Sequence, residues 1–300
     1  MPTTPSPFAK IRDTAESEGG FFRETERHCI SYVPGDGVLI VSFDNAFGVK
    51  VKEDRTPWGF DYITSQGWSI LGVMEKEPDW YRHTSLREVF DELRDAGFFK
   101  KFRKVVFYGY SMGSYGATAF CTAAPGATVL LYGTRATRHN KTFNGADLPF
   151  DTSRYGDVRS GIPDADRVFM FYDPTDETDN LHARIYSGSN VEKFECRHLG
   201  HHVANEFAGM SILKPILDGV VSETFTRQQF YALFRNRMTS ITYVHKLMCA
   251  AIARGHYVLA LRIVMIMSDR LEPGRSRWRF RRHRKGLRQA IATGESYDLG

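Results

Sequence analysis

The chain has 300 residues, 42% of them hydrophobic and 25% charged, with a formal net charge of +5. That much apolar surface can offset the entropy of ordering a core, which excludes disorder over most of the length. No apolar run approaches the roughly 18 residues of a membrane-spanning helix.

The average charge hides an asymmetry. Residues 271–290 hold eight basic side chains (Arg275, Arg277, Arg279, Arg281, Arg282, Arg284, Lys285 and Arg288) against one acid, Glu272, which makes +7 in twenty residues. The remaining 280 residues therefore sum to −2. Any attraction to an acidic partner belongs to this tail. Four widely spaced cysteines, Cys29, Cys121, Cys196 and Cys249, form no CxxC pair. They read as reduced thiols of a cytosolic protein, not as a disulfide frame or a zinc site.

Residues 1–29 form a polar N-terminal segment, and 1–17 lack the apolar core of a secretory signal. The first buried strand is expected at 38–43, after the turn Pro34-Gly-Asp-Gly37, and a second at 68–73. Residues 85–96 read as a helix: Leu86, Val89, Phe90 and Leu93 recur at helical spacing, and Ser85 with Glu88 suggests a capping box. Further strands are expected at 104–108, 128–132, 167–172 and 191–197. Small apolar residues over 111–123 suit a helix packed closely on a sheet. Continuous apolar strands separated by helices indicate a mainly parallel sheet covered on both faces, an α/β architecture.

Residues 135–166 are polar and long for a connection, fitting either a lid over a site or a surface insertion. Beyond about 206 the pattern turns helical, at 211–221, 226–237, 240–253 and 257–269. Residues 250–260 resemble a single tetratricopeptide-type hairpin, but one copy without a repeat is weak evidence and a helical appendage packed on the sheet is the plainer reading. The resulting division is a polar segment (1–29), an α/β core (30–210) and a helical extension (211–300) ending in the basic tail.

The strongest chemical signal is Gly109-Tyr110-Ser111-Met112-Gly113. It matches G-x-S-x-G, with a strand running into it and a small-residue helix leaving it. A serine on so sharp a turn needs glycine beside it to avoid clashes. The turn exposes the hydroxyl and aims a helix N-terminus at a developing oxyanion.

With its strand order and motif positions, the stretch Gly-Tyr-Ser-Met-Gly-Ser-Tyr-Gly-Ala resembles the α/β-hydrolase superfamily over roughly residues 30–210. The resemblance implies a nucleophile, an acid and a histidine in that chain order. Ser111 is the implied nucleophile. His201, directly after Gly200 in Leu-Gly-His-His-Val, is the implied base, with His202 as the alternative and His198 behind it.

The acid falls in Asp173-Pro-Thr-Asp176-Glu-Thr-Asp179. The family spacing aligns Asp176. Asp173 is the alternative because it sits nearest the strand end, and Glu177 and Asp179 come after these two. Asp179 reads more naturally as the cap of a helix starting near Leu181. The oxyanion donors implied are the amides of Met112 and Asn45. The family's frequent His-Gly pair is missing here: the chain reads Ser42-Phe-Asp44-Asn45-Ala-Phe47. Asp44 would repel anionic substrates unless it is turned away or paired.

No metal-ligand spacing, phosphate loop or dinucleotide fingerprint is present, so neither a metal nor an organic cofactor is expected. The leading expectation is a serine esterase or acyltransferase acting on an ester or thioester, with a small-molecule or glycan- or lipid-linked acyl substrate. The alternative is a catalytically silent α/β-hydrolase fold that works through its Arg-rich tail on an anionic polymer or membrane surface. The tail alternates Arg with Trp278 and Phe280, which favours such a surface over nucleic acid. A simply solvated charge run is the plainer reading. The expected location is cytoplasmic, with membrane-peripheral attachment as an option.

Overall fold

The structure, a computed structural model, describes residues 6–51, 53–137 and 153–299. Its centre is an eight-stranded sheet: β1 (Phe21–Glu24), β2 (His28–Val33), β3 (Val38–Phe43), β4 (Ser69–Glu75), β5 (Lys104–Tyr110), β6 (Thr128–Tyr132), β7 (Arg167–Tyr172) and β8 (Val191–Glu195). The spatial order is β1-β2-β4-β3-β5-β6-β7-β8. β2 pairs antiparallel with both β1 and β4, and all other neighbours are parallel. Every residue of β3, β4 and β6 is buried, which is why these strands read as unbroken apolar runs.

The helices are α1 (Ala9–Ser17), α2 (Phe60–Ser65), α3 (Thr84–Asp95), α4 (Met112–Phe120), α5 (Val158–Asp164), α6 (Glu177–Ile185), α7 (Val203–Gly209), α8 (Leu213–Val221), α9 (Arg227–Leu233), α10 (Ile241–Ala253), α11 (Tyr257–Arg270), α12 (Arg275–Arg281) and α13 (Arg284–Thr293). Side chains alternate across each strand, so the two sheet faces build separate cores. Leu39, Val41, Phe107 and Leu131 face α3, α4 and α5. Ile40, Val106, Leu130 and Phe171 face α1 and the C-terminal helices. Among the described residues no helix is long and apolar enough to cross a membrane.

Three readings shift. The polar segment ahead of residue 30 contributes α1 and the edge strand β1 to the core sheet, and β2 straddles the expected boundary. These strands mix Arg, Glu, His and Ser with apolar residues and so lack an unbroken apolar run. The helix expected at 85–96 begins at Thr84, and its cap is His83, whose Nδ1 accepts from the Ser85 amide at 3.3 Å. Of the lid expected over 135–166, residues 138–152 lie outside the described residues, and the later part folds as α5.

The helical extension is seated by aromatic rings. Phe171 and Phe194 on the sheet stack at 4.7 Å. Phe230 of α9 meets them at 5.2 and 4.9 Å, and Phe207 of α7 meets Phe171 at 5.5 Å. Sheet and extension thus share one continuous core. Phe230→Ala is expected to cost about 3–5 kcal/mol. Urea denaturation should still give a single transition, whereas a separate early transition of the extension would show two independent cores.

Candidate active site

The site forms where the strand order reverses. β3 has β4 on one side and β5 on the other. The loops leaving β3 and β5 therefore diverge and open a crevice at the C-terminal edge of the sheet. Asn45 follows β3, and Ser111 follows β5.

Ser111 has φ 56° and ψ −119°, a backbone state costly for a residue with a Cβ. Its amide donates to the Tyr132 carbonyl at 2.9 Å, which pins the turn to the neighbouring strand. The flanking glycines are required sterically. A Cβ on Gly109 would lie 2.2 Å from the Gly113 carbonyl oxygen. One on Gly113 would lie 2.4 Å from the Phe43 oxygen and 2.7 Å from that of Asp44. The first turn of α4 is thus pressed against the end of β3. Met112 opens α4, and Asn45 follows directly on Asp44. Among the described residues neither of these two amides donates a hydrogen bond.

His201 lies across from this turn. Ser111 Oγ is 2.7 Å from His201 Nε2, and His201 Nδ1 is 2.8 Å from Asp179 Oδ1. Asp179 is fully buried. The acid at the imidazole is therefore Asp179, neither Asp176 nor Asp173, and this corrects the reading from spacing. α6 starts at Glu177, four residues earlier than expected, with Asp176 as its N-cap accepting from the Asp179 amide at 3.0 Å. The cap role falls to Asp176 and releases the Asp179 carboxylate for His201.

Asp173 has a third task. Its Oδ2 accepts from the Gly200 amide at 2.6 Å and its Oδ1 from the Thr175 amide at 2.8 Å. It ties the end of β7 to the loop that presents His201. Gly200 has φ +74°, which suits glycine. His202 turns away from the serine and meets the Tyr110 hydroxyl through Nδ1.

Two cations stand where no sequence pattern announced them. Arg135, just after β6, donates through one guanidinium nitrogen to the same Asp179 oxygen that meets His201. His182, one turn beyond Asp179 on α6, accepts from the Ala136 amide at 3.2 Å. Burial, then Arg135 and His201, push this imidazole down to about 3, so it stays neutral.

The second cation, Arg55, pairs with Asp44 at 2.8 Å, both being about 4% exposed, and also donates to the Glu75 carbonyl at 2.8 Å. Asp44 is therefore paired and does not confront the crevice as a free negative charge. The Tyr81 hydroxyl donates to the Asp44 carbonyl, giving the loop a second support.

Tyr81 itself has φ 56°. Its amide is shared by Glu75 Oε1 at 2.9 Å and Asp79 Oδ1 at 2.8 Å, and His28 Nε2 meets Asp79 at 3.0 Å. Among the described residues His28, Glu75 and Asp79 are one group whose ligand atoms, all within 4.8 Å, could hold a metal ion. Burial, and the nearby Asp79 and Asp44 carboxylates, push the Glu75 carboxyl well above the usual carboxylate range.

A strained serine after β5, a histidine in the loop after β8, a carboxylate after β7 and the sheet order above are the parts of one known architecture. This is an α/β-hydrolase fold. No protein-family model matches the chain, and no curated protein sequence matches it. Solved structures similar to it include a glycosylation-associated protein complex of Streptococcus agalactiae, at 14% identity and a TM-score of 0.43. That match covers 67% of this chain but only 45% of the other. A capsule O-acetyltransferase of Neisseria meningitidis serogroup A, in complex with CoA, is 12% identical with a TM-score of 0.44 over 67% of this chain and 94% of its own. A carboxylesterase structure from the thaumarchaeon Nitrososphaera gargenis is 12% identical with a TM-score of 0.41 over 68% and 100%.

Two predictions follow from the loop after β3. In Gly113→Ala the new methyl must displace the Phe43 and Asp44 carbonyls. Melting should fall by several degrees, and any nucleophilic reactivity of Ser111 should drop at least about tenfold, while a variant that melts and reacts like the parent would refute the close contact.

The second prediction concerns Arg55→Gln. Burial raises the Asp44 carboxyl from 3.8 to about 6, against the pull of Arg55. The folded state thus holds this proton more tightly than the unfolded chain. The resulting stabilisation is full below about pH 4 and lost as pH rises through 6. Removing Arg55 raises the folded value further. The variant should therefore lose about 3–5 kcal/mol at pH 8 and less at pH 5, where Asp44 is protonated. Equal losses in urea titrations at the two pH values would show that the pair is not ionic.

Proposed function

We propose that the chain is a serine acyl hydrolase or acyltransferase acting on an ester or thioester. The observation that carries this reading is the continuous hydrogen-bonded line from Ser111 Oγ through His201 to Asp179, with steps of 2.7 and 2.8 Å. Such a line has one chemical use. His201 Nε2 takes the hydroxyl proton as Ser111 Oγ attacks an acyl carbonyl. Asp179 fixes the tautomer that carries its proton on Nδ1 and stabilises the imidazolium that forms.

The tetrahedral oxyanion is received by the Met112 and Asn45 amides, aided by the N-terminus of α4. Collapse returns the proton from His201 to the leaving alcohol or thiol and leaves an acyl-serine. Water, or an acceptor hydroxyl deprotonated by His201, then releases the acyl group and restores the serine. Small-molecule, glycan-linked and lipid-linked acyl groups all present the carbonyl this chemistry needs, and no organic cofactor takes part.

Labelling with a fluorophosphonate probe tests the reading. The parent protein should label, and Ser111→Ala and His201→Ala should not. Asp179→Asn should lose about 10⁴-fold in kcat on an activated ester, the order seen when a triad acid is neutralised. Asp176→Ala, which removes only a helix cap, should lose less than about tenfold at a stability cost of about 1 kcal/mol. Folded parent protein that fails to label would favour the catalytically silent alternative. Equal losses at Asp176 and Asp179 would refute the assignment of the acid.

A further inference from the structure

We propose that the corner formed by α12 and α13 is a docking surface for an anionic lipid bilayer. The first observation is unpaired charge. Six of the eight basic residues in 275–288 are exposed, and none of the eight forms an ion pair among the described residues. Several cations elsewhere on the protein are paired. Arg12, Arg23, Arg27, Arg94, Lys104 and Arg167 each have a carboxylate partner. The nearest acids in sequence, Asp269, Glu272, Glu295 and Asp298, are exposed or partly exposed and are not recruited to the patch. The field of the patch reaches inward: His245 and His283 are both held below the usual imidazole range, by burial first and then by Arg279 and Arg282 at His245 and by Arg282 at His283.

The second observation is an aromatic ring set among those charges. Trp278 is 58% exposed, while Phe280 is fully buried against His245 with ring centroids 5.6 Å apart. Two residues apart on a helix, they face roughly opposite ways. At about 100° per residue Arg275, Arg281 and Arg282 fall within about 60° of Trp278. The Arg282 guanidinium lies over the indole, 5.3 Å from its centroid. A shallow cavity of about 450 Å³ opens beside the ring, lined by Pro273, Gly274, Arg277, Trp278 and Arg281.

A ring anchored on its helix and ringed by guanidinium groups suits the boundary between headgroups and acyl chains. The indole enters the interface while the arginines contact phosphates. Single-stranded nucleic acid would instead need a groove tracking its backbone with several stacking platforms. Here one exposed ring stands on a helical corner. Buried Phe280 fixes the direction in which Trp278 points, so the ring is presented without an ordering cost at the moment of contact.

Co-sedimentation of the full chain with vesicles tests this. Binding is expected to vesicles of phosphatidylcholine with about a third phosphatidylglycerol, and none to phosphatidylcholine alone. It should weaken sharply as salt rises and the screening length shrinks. The triple variant Arg275→Gln, Arg281→Gln, Arg282→Gln should lower the partition coefficient about 100-fold, at the value typical of each basic residue near an anionic surface. Trp278→Ala should lower it about tenfold and abolish the blue shift of tryptophan emission on binding. Both sites are at the surface, so unchanged melting will show that the variants fold. The proposal falls if anionic vesicles are not bound at low salt, if neutral vesicles bind equally, or if Trp278→Ala binds like the parent. It also falls if a 20-nucleotide RNA binds more tightly than the anionic vesicles. None of these readouts uses the serine, so their failure leaves the acyl-transfer reading standing, and a failure to label with fluorophosphonate leaves this one standing.

Discussion

The close approach of two backbones at Ser111 is the constraint on which the rest of the site depends. β5 must turn into α4 within one residue, and that residue adopts φ 56°. The turn is possible only because Gly109 and Gly113 leave no side chain where the Phe43, Asp44 and Gly113 carbonyls pass. Once it is made, three consequences follow without further adjustment. The Ser111 hydroxyl meets His201, α4 begins directly after the serine, and the end of β3 is held against the first turn of α4. The surrounding structure holds the strained turn in place: the Ser111 amide is bonded to β6, and all nine residues of α4 are buried.

The electrostatics around the turn follow a division of labour among acids. Asp173, Asp176 and Asp179 recur every third residue, yet each meets a different donor. The first holds the histidine loop, the second caps α6, and the third faces the imidazole. Arg135 on the same Asp179 oxygen as His201 makes that carboxylate the meeting point of two donors. On the other side of the crevice, Arg55 cancels Asp44. Both pairs are removed from water, where an uncompensated charge would be costly. Charge at the site is thus locally neutralised, whereas the tail leaves its charge unmatched.

Much of the architecture was legible in the sequence. Parallel central strands bury both faces, so β3, β4, β6 and β7 had to be continuous apolar runs, and amphipathic helices had to repeat every three to four residues. The edge ribbon β1–β2 escaped because its residues are mixed in polarity and gain their place only by pairing with β4. Ser111 and His201 were nameable for a related reason: each has glycine nearby that the local backbone demands, Gly109 and Gly113 for close approach and Gly200 for its positive φ, and such a demand leaves a mark in the sequence. Asp179 leaves no such mark. Four carboxylates stand within seven positions, and the choice among them turns on where α6 begins. That in turn rests on which aspartate accepts the first helical amides.

The sequence by itself determined the layers, the order of apolar and polar elements, the strained serine turn and the separation of a near-neutral body from a basic tail. These are set by local backbone sterics and by hydrophobic period, which act over a few residues. Only the tertiary structure decided which carboxylate meets His201, that Arg55 neutralises Asp44 eleven positions away, that Arg135 joins Asp179 from another strand end, and that Trp278 points outward while Phe280 points in. Each of these depends on a distance between groups far apart in the chain, and such distances exist only once the sheet and its helices have packed.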